Sequence, residues 1–258
     1  MQTSGDQPPR DVTPVRSARK SGMSPVIDIR PASSRFHTRL DWLDSWHSFS
    51  FSSHYDPENT HHGLLLVSND AVVARSTGFG THAHRDMEIV TWVVRGRLEH
   101  RDSEGNHAEI YPGLAQRMSA GRGIQHSEMN PDPSADVRLI QMWVRPDTEG
   151  IDPGYEQLDI NSQLDTGSLV PIASGAGHDG AIRIHQRGAV LWGGRLRAGA
   201  RVALPDGHHV HLFVVSGTPV LAGDHPLGSG DAVRLTDAGS PVVDAGPSGA
   251  EVLVWVTD

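Results

Sequence analysis

The chain contains no cysteine among its 258 residues. Both a disulfide framework and a thiolate metal site are therefore excluded, and the absence fits a reducing compartment, so we expect a cytoplasmic protein. No apolar run approaches the roughly 18 residues that a membrane-spanning helix needs. We therefore expect no membrane insertion.

Basic residues are also scarce, because 22 Lys and Arg are outnumbered by 31 Asp and Glu and the formal net charge is −9. Such a chain has no electrostatic reason to bind nucleic acid directly, since that requires basic groups that neutralise phosphates. Turn-forming residues are plentiful, with 28 Gly and 17 Pro between short apolar runs. This distribution of turn-forming residues predicts an all-β fold of many short strands.

The composition changes along the chain and divides it into three parts. Residues 1–25 are rich in Ser, Pro, Gly and Arg without apolar periodicity, which predicts a disordered N-terminal tail. Residues 26–146 carry strand-like runs, of which Met87 to Val94 is the clearest. Residues 147–258 begin with a connecting stretch, 147–180, and continue into a β region that weakly repeats the first. We therefore predict two β-barrels in tandem.

Two local patterns in the first part carry further predictions. A strand from Gly63 is expected to end in a turn at Asn69-Asp70, because Asn and Asp favour turns. The preceding segment holds a group of potential ligands, which we interpret as a solvated loop because flexible loops rarely hold ligands in fixed positions. Its members are His54, Asp56, Glu58, His61 and His62.

Two short stretches each place two potential metal ligands two positions apart, His82 with His84 and His126 with Glu128. Residues i and i+2 of a strand project from the same face. If the two strands face one another, three imidazoles and one carboxylate surround one point, a donor set that suits a divalent transition metal. Glu88 is an alternative carboxylate, because it shares a face with His84 if that strand continues unbroken.

The residues around these pairs resemble the pirin family of the cupin superfamily. Gly78–Glu88, Leu98–Asn106 and Gln116–Glu128 each resemble a pirin signature, and Gly113–Asn130 resembles the second cupin motif. The resemblance is close as far as Val144 and looser beyond. It implies a bicupin of two antiparallel jelly-roll barrels with few short helices, in which 26–146 is the metal-binding domain and 147–258 comprises a linker and the C-terminal domain.

The resemblance also implies which residues hold the metal. It assigns His82, His84, His126 and Glu128 to one divalent ion, usually Fe²⁺ in this family, although the ligand types also permit nickel, copper, manganese or zinc. The general cupin pattern nominates Glu88 instead, whereas the pirin wording favours Glu128. Candidate pocket-wall residues beside the site are Met118 and Gln125.

The second barrel lacks an equivalent ligand set. Aligning Gly217 with Gly96 puts Ala203 and Pro205 at the positions of the first two histidines. We therefore predict a metal-free C-terminal domain and interpret three nearby histidines as structural, because they fall several residues late for the pattern: His208, His209 and His211.

Two functions are compatible with these ligands. Pirin-like proteins are known for quercetin 2,3-dioxygenase activity, which opens the flavonol's central ring with O2 and releases carbon monoxide. The resemblance thus implies an oxidoreductase acting on a flavonol-like aromatic molecule, with Glu128 as ligand and catalytic base. Other pirin-like proteins act through protein partners. The alternative is therefore an iron-binding, redox-sensing regulatory protein that contacts a transcription factor or a metabolic enzyme.

Overall fold

The computed structural model describes residues 24–258, and strands dominate this range. Helical structure within it is confined to a 3-10 turn (Ala32–Ser34) and one α-helical turn, α1 (Asn161–Leu164). The predicted all-β fold is confirmed. The predicted disordered tail, residues 1–25, lies outside the described residues except for its last two.

The first half of the described chain contains twelve strands: β1 (Val26–Arg30), β2 (Phe36–Arg39), β3 (Leu43–His47), β4 (Leu65–Val73), β5 (Gly78–His84), β6 (Glu88–Arg95), β7 (Leu98–Asp102), β8 (His107–Ile110), β9 (Leu114–Ser119), β10 (Ile124–Met129), β11 (Val137–Val144) and β12 (Gly154–Asp159). The second half contains ten: β13 (Val170–Ser174), β14 (Ile182–Arg183), β15 (Ala189–Leu196), β16 (Arg201–Ala203), β17 (His209–Gly217), β18 (Val220–Leu221), β19 (His225–Pro226), β20 (Ala232–Thr236), β21 (Val242–Asp244) and β22 (Ala250–Thr257).

These strands form two barrels, each made from one large and one small sheet. In the first barrel the order β12-β9-β6-β11-β4-β3-β2 is combined with β5-β10-β7-β8. In the second, β1-β20-β17-β22-β15-β13-β14 is combined with β16-β21-β18-β19. Each barrel encloses an apolar core to which both of its sheets contribute. The predicted two-barrel architecture is confirmed.

One edge strand of each barrel comes from the part of the chain that otherwise belongs to the other barrel. β1 pairs with β20 of the second barrel, with Ile27 opposite Leu235. β12, from the predicted connecting stretch, pairs with β9 of the first barrel, with Gln157 opposite Gln116. The stretch 147–180 is therefore not a plain linker. The domain boundary at 146/147 stays a prediction, and a cut there would remove β12 from its sheet.

A continuous apolar core joins the two large sheets. Indole groups fix the contact, because Trp92 Nε1 donates a hydrogen bond of 2.9 Å to Glu251 Oε1 and Trp255 Nε1 lies 3.2 Å from Met142 Sδ. Burial of each large side chain here contributes about 1.5–3 kcal/mol. The main contributors are Phe49, Val90, Trp92 and Ile140 from the first barrel and Leu191, Phe213, Leu253 and Trp255 from the second.

Alternation along β6 separates this shared core from the interior of the first barrel. Val90 and Trp92 face the second barrel, whereas Ile89, Thr91 and Val93 face inward. The inward residues of β6 thus face the same barrel interior as the candidate ligands.

The turn predicted at Asn69-Asp70 does not form, because β4 continues through both residues to Val73. Asp70 accepts two hydrogen bonds of 2.9 Å from Arg138 on β11, and Asn69 lies opposite Gln141 on the same strand. Partners supplied by β11 outweigh the local preference of Asn and Asp for turns. The turn prediction was wrong for this reason.

Candidate metal centre

The interior of the first barrel has a polar layer between two apolar ones. On β6, Thr91 of the polar layer stands between Ile89 and Val93, which belong to separate apolar clusters. β11 likewise has one polar inward residue between two apolar inward residues. Side chains in direct register across the large sheet make up the polar layer: Gln116, Thr91, Gln141, Asn69 and His47.

The small sheet places the predicted ligands opposite this polar layer. His82 and His84 project inward from β5, and His126 projects from β10, where it pairs directly with His82. Ligand nitrogens of these three residues lie within 4.8 Å of one another. The three imidazoles that the sequence predicts as ligands therefore meet at one point.

A β-bulge in β5 allows the three histidines to point toward one another. The pairing of β5 with β10 shifts between His126 and Glu128, so that Gly80 and Thr81 together oppose Ser127. The extra residue lets both Phe79 and His82 face the barrel interior, which strict alternation forbids. Without the bulge, strict alternation would place His82 and His84 on the outer face of the sheet whenever Phe79 faces inward.

Gly78 brings the two ligand strands into close contact. A Cβ at this position would lie 2.3 Å from the carbonyl oxygen of Glu128 and 2.6 Å from Cα of Met129. These distances are too short for any side chain, so only glycine allows β5 to approach the backbone of β10 here. Glycine is therefore required at position 78 for steric reasons.

Glu128 supplies a buried carboxylate that is held at both oxygens. Oε2 accepts a hydrogen bond of 2.7 Å from Gln141 Nε2, and Oε1 lies 3.4 Å from Thr91 Oγ1. Burial raises the pKa of Glu128, although the hydrogen bond from Gln141 and the nearby His100 and His82 oppose this. The polar layer of the large sheet therefore anchors the carboxylate that the small sheet carries.

The protonation and hydrogen bonding of the histidines suit a metal ion. Burial, together with the neighbouring imidazoles, lowers the pKa of His84 to about 4 and that of His126 to about 3, so these rings are neutral at pH 7. His82 Nδ1 lies 2.8 Å from the carbonyl oxygen of Gly80 and donates to it, which leaves Nε2 free. Neutral imidazole is the form that binds metals.

One nitrogen of the candidate ligand set is buried without a partner from the described part of the chain. His126 Nε2 has no hydrogen-bond partner among residues 24–258, although it is shielded from solvent. An unpaired buried nitrogen is unfavourable, and a coordinated cation is one group that removes the penalty. The residues present therefore fit a divalent metal ion.

His100 is a part of this centre that the sequence prediction missed. It is completely buried on β7, with Nε2 3.1 Å from Asp102 Oδ2 and Nδ1 3.5 Å from His126 Nδ1. Ligand atoms of His100, His126 and Glu128 also lie within 4.8 Å of one another. The available signal was a third pair at i and i+2, His100 and Asp102, within a strand.

Glu88, the alternative carboxylate, lies on the other face of the large sheet. The chain changes sheet after His84 through a turn in which Asp86 has a φ of 46°, so β5 and β6 are separate strands. Glu88 is fully buried, and its Oε2 accepts hydrogen bonds from Ser119 Oγ (2.9 Å) and the backbone N–H of His185 (3.0 Å). It thus connects the two barrels.

The two candidate wall residues differ in their placement. Met118 is buried in the apolar layer with Ile89 and Ile124. Gln125 is exposed on the outer face of β10 and lines a surface cleft of about 490 Å³ that reaches His84. Gln125 therefore does not form part of the inner wall, because it alternates with the inward His126.

The remaining histidines have other contacts. His62 is not part of a solvated loop as predicted, because it is half-buried and its Nε2 donates to the carbonyl oxygen of Leu235 at 3.1 Å. His208 pairs with Asp237, and the fully buried His211 packs on Phe49. Within residues 24–258, only the two groups described above bring three potential ligands together. The metal-free second barrel stays a prediction.

Comparison with known proteins identifies the family. A family model described as Pirin matches residues 29–144, and a model described as the quercetinase C-terminal cupin domain matches residues 171–255. The chain belongs to the pirin family. Both barrels of this pirin are accordingly cupin domains, as the sequence implied.

Relatives and solved structures agree with this membership. The pirin is 53% identical over 234 residues to a Mycobacterium tuberculosis H37Rv protein named "Putative quercetin 2,3-dioxygenase", a match that covers 90% of this chain and 96% of that protein. It is 44% identical over 161 residues to the Escherichia coli K12 "Quercetin 2,3-dioxygenase", covering 62% and 68%. The structure of the E. coli pirin YhhW in complex with nickel(II) shares 34% identity and a TM-score of 0.83, covering 90% of this chain and 99% of that one.

Neither described helix of this pirin has the length or the apolar character to cross a membrane. The cytoplasmic location stays a prediction.

Proposed function

We propose that this pirin is a metal-dependent dioxygenase that opens the central ring of flavonols such as quercetin, consuming O2 and releasing carbon monoxide. Two overlapping groups of potential ligands inside the first barrel carry the proposal. Ligand atoms of His82, His84 and His126 lie within 4.8 Å of one another, and Glu128 forms a second such group with His126 and His100. The name of the E. coli relative supports the reaction class. The substrate is a small aromatic molecule in this proposal, and no nucleic acid or membrane takes part.

The metal ligands in this proposal are His82, His84, His126 and Glu128. His100 approaches the same point, but its ring is hydrogen-bonded to Asp102 and lies against the Nδ1 side of His126. We assign it to orienting His126, since the partners of a ligating histidine fix its ring and tautomer. Three nitrogens and one oxygen suit Fe²⁺, which we propose as the resident ion, and the nickel complex of YhhW supports Ni²⁺ as a competitor.

The bound ion would supply Lewis acidity toward the flavonol hydroxyl and an open position for oxygen ligands. The protein's own side chains form the surroundings of the ion. Ile89, Met118 and Trp143 form the apolar layer beside the centre, which excludes water and offers surface to an aromatic ring.

Glu128 is assigned a second role as catalytic base. Its carboxylate accepts the proton of the flavonol hydroxyl, while Gln141 holds the other side of the group. Both atoms of O2 enter the ring-opened product, and the carbon that carried the hydroxyl leaves as carbon monoxide. The Glu128→Gln variant tests this role, because a base predicts that turnover per bound metal falls. If turnover falls only in proportion to metal content, the base role is unnecessary.

The activity is tested by loading purified protein with Fe²⁺ without oxygen, adding quercetin and then admitting O2. Loss of the flavonol absorption together with carbon monoxide release is the expected result. His126→Ala should abolish both, whereas His107→Ala, which removes an exposed histidine from β8, should leave both unchanged. A fully loaded protein that shows no oxygen-dependent loss would refute the dioxygenase assignment.

One observation favours the alternative function. The outer face of β5 is exposed, and the surface cleft there extends from Ala83 and Arg85 to His84. A protein partner docked on this face would contact a metal ligand directly and sense the charge of the iron. Binding that depends on the iron oxidation state, in protein without dioxygenase activity, is the result expected of a redox-sensing regulator.

A further inference from the structure

A cleft of about 460 Å³ lies between the two barrels, on the face of the first large sheet opposite to the polar layer. Arg35, Trp46, Asp70 and Arg138 line one side, and Ser229-Gly230 of the second barrel lines the other. The metal centre does not use any of these residues. The cleft combines two guanidinium groups with an aromatic wall and a single carboxylate.

Arg35 has unused hydrogen-bonding capacity although it is buried. Its side chain is only 6% exposed, and neither Nε nor Nη1 has a hydrogen-bond partner in the described part of the chain. Asp70 Oδ2 lies 3.6 Å from Nη1, which is an ion-pair distance but too long for a hydrogen bond. The guanidinium carbon lies over the ring of Phe213, 5.4 Å from the ring centroid. The N–H groups of Nε and Nη1 therefore have no hydrogen-bond partner among the described residues, although both atoms are shielded from solvent.

The single carboxylate of the cleft is already engaged. Asp70 accepts hydrogen bonds of 2.9 Å from both Nε and Nη2 of Arg138. Two guanidinium groups thus share one negative charge, and the lining carries an excess of one positive charge.

The other nearby carboxylates of the described residues do not hydrogen-bond to Arg35, although the charge of Asp231 attracts it. Asp231 accepts backbone N–H groups of Ala32 and Gly228, each at 2.7 Å. Asp28 pairs with Arg30 at 2.8 Å. Arg35 thus lacks a dedicated anionic partner among residues 24–258.

A buried cation with open donors is unfavourable unless an anion pairs with it. The planar fork of a guanidinium matches the spacing of two oxygens on a carboxylate or phosphate. We propose that the cleft is a binding site for a small oxyanion, held by Arg35 and Arg138, with Trp46 as its aromatic wall. The proposal is independent of the dioxygenase assignment.

The position of Arg35 gives the site a consequence for the fold. Arg35 connects β1, which belongs to the second barrel, to β2 of the first barrel. A Cβ at Gly230 would lie 2.6 Å from Arg35 Nη2, so the guanidinium reaches the second barrel as well. An oxyanion bound there draws both barrels together and stabilises the native protein by mass action.

The test titrates the full chain with inorganic phosphate, benzoate or acetate at constant ionic strength, using calorimetry and thermal unfolding. Saturable heat and a saturable rise in Tm are expected with at least one probe. Binding by phosphate alone identifies a phosphate group as the ligand. A preference for benzoate over acetate identifies an aromatic carboxylate that contacts Trp46.

Variants separate this site from a general salt effect. Arg35→Gln should weaken binding at least tenfold, whereas Arg201→Gln, which removes an exposed arginine from β16, should not change it. Wild-type crystals soaked in selenate provide a test that needs no variant, and an anomalous peak between Arg35 and Arg138 is expected. Equal responses of wild type and Arg35→Gln, or the lack of a saturable response to any of the three probes, would overturn the proposal. Absence of the selenate peak in a protein that phosphate stabilises would also overturn it.

Discussion

Gln141 donates a hydrogen bond of 2.7 Å from Nε2 to Oε2 of Glu128. The orientation of this amide is determined, because its Oε1 accepts a hydrogen bond of 3.2 Å from Trp143 Nε1, which can only donate. The indole of Trp143 in turn packs edge-on against His84, with ring centroids 5.0 Å apart. One amide on the large sheet thus connects the carboxylate of β10 to a histidine of β5.

Replacing Gln141 by Met removes this connection while keeping the volume of the side chain. Metal affinity should fall about 10- to 100-fold, which is typical when a group that orients a ligand is lost. Competition with a chromophoric chelator measures the change. Gln157→Met on β12, where the side chain is exposed, is the matched control and should bind metal normally. Equal affinities of the two variants would show that Gln141 does not position Glu128.

Glu128 and Glu88 are both buried, but on opposite faces of the first barrel's large sheet. Glu128→Gln should bring the metal content well below one ion per chain, because an amide is a poor replacement for a charged ligand. Glu88→Gln should keep the full content and instead lower the free energy of unfolding by about 1–3 kcal/mol, because Ser119 and His185 lose a charged acceptor. Full metal content in Glu128→Gln would contradict the ligand assignment.

Gly78 and Gly80 lie in the same strand and differ in the space around them. Gly78→Ala should cost ~2–4 kcal/mol of stability and weaken metal binding, because its Cβ would meet the backbone of Glu128 and Met129. A Cβ at Gly80 would have no atom within 4 Å, so Gly80→Ala should change stability by less than about 1 kcal/mol. Denaturant unfolding of the two variants measures the difference. Similar stabilities would mean that β5 can move away from β10 without cost.

His62 makes the stability of the protein depend on pH. Burial lowers its pKa to about 4, although its hydrogen bond to Leu235 opposes this, whereas an unfolded histidine titrates near its ordinary value of about 6.5. Between these values the unfolded chain binds more protons, so stability is lost as the pH falls from about 6.5 to about 4.

Replacing His62 by Gln keeps a hydrogen-bond donor and removes this titration. The loss of stability over that pH window should shrink by about 1–2 kcal/mol, a figure discounted because the ring is only half-buried. Urea unfolding at several pH values measures it. Some pH dependence should remain, because burial also holds the pKa of His211 well below its ordinary value. Parallel pH profiles for wild type and variant would contradict the prediction.

The convergence of His82, His84 and His126 could be predicted from sequence, because strand geometry places His82 and His84 on one face and the family resemblance adds His126 to them. The pair at i and i+2 formed by His100 and Asp102 was a signal for His100, but its contact with His126 depends on the pairing of β7 with β10 and could not be predicted. The contacts of Gln141 and Thr91 with Glu128 could not be predicted either. A polar residue at an inward position of an apolar strand was their only sequence signal.

The all-β, two-barrel fold could also be predicted, but not which barrel each edge strand joins. β1 lies in the second barrel and β12 in the first, because sheet membership depends on partners far away in the chain. The Asn69-Asp70 segment shows the same limit. Its turn preference is local, whereas the hydrogen bonds that keep it extended come from Arg138.

The position of the metal is tested most directly by anomalous diffraction from metal-loaded crystals, collected on both sides of the absorption edge of the ion. We predict a single strong peak per chain, in contact with His82, His84, His126 and Glu128, and no peak in the second barrel. A peak that Glu88 contacts in place of Glu128, or one among His208, His209 and His211, would contradict the account.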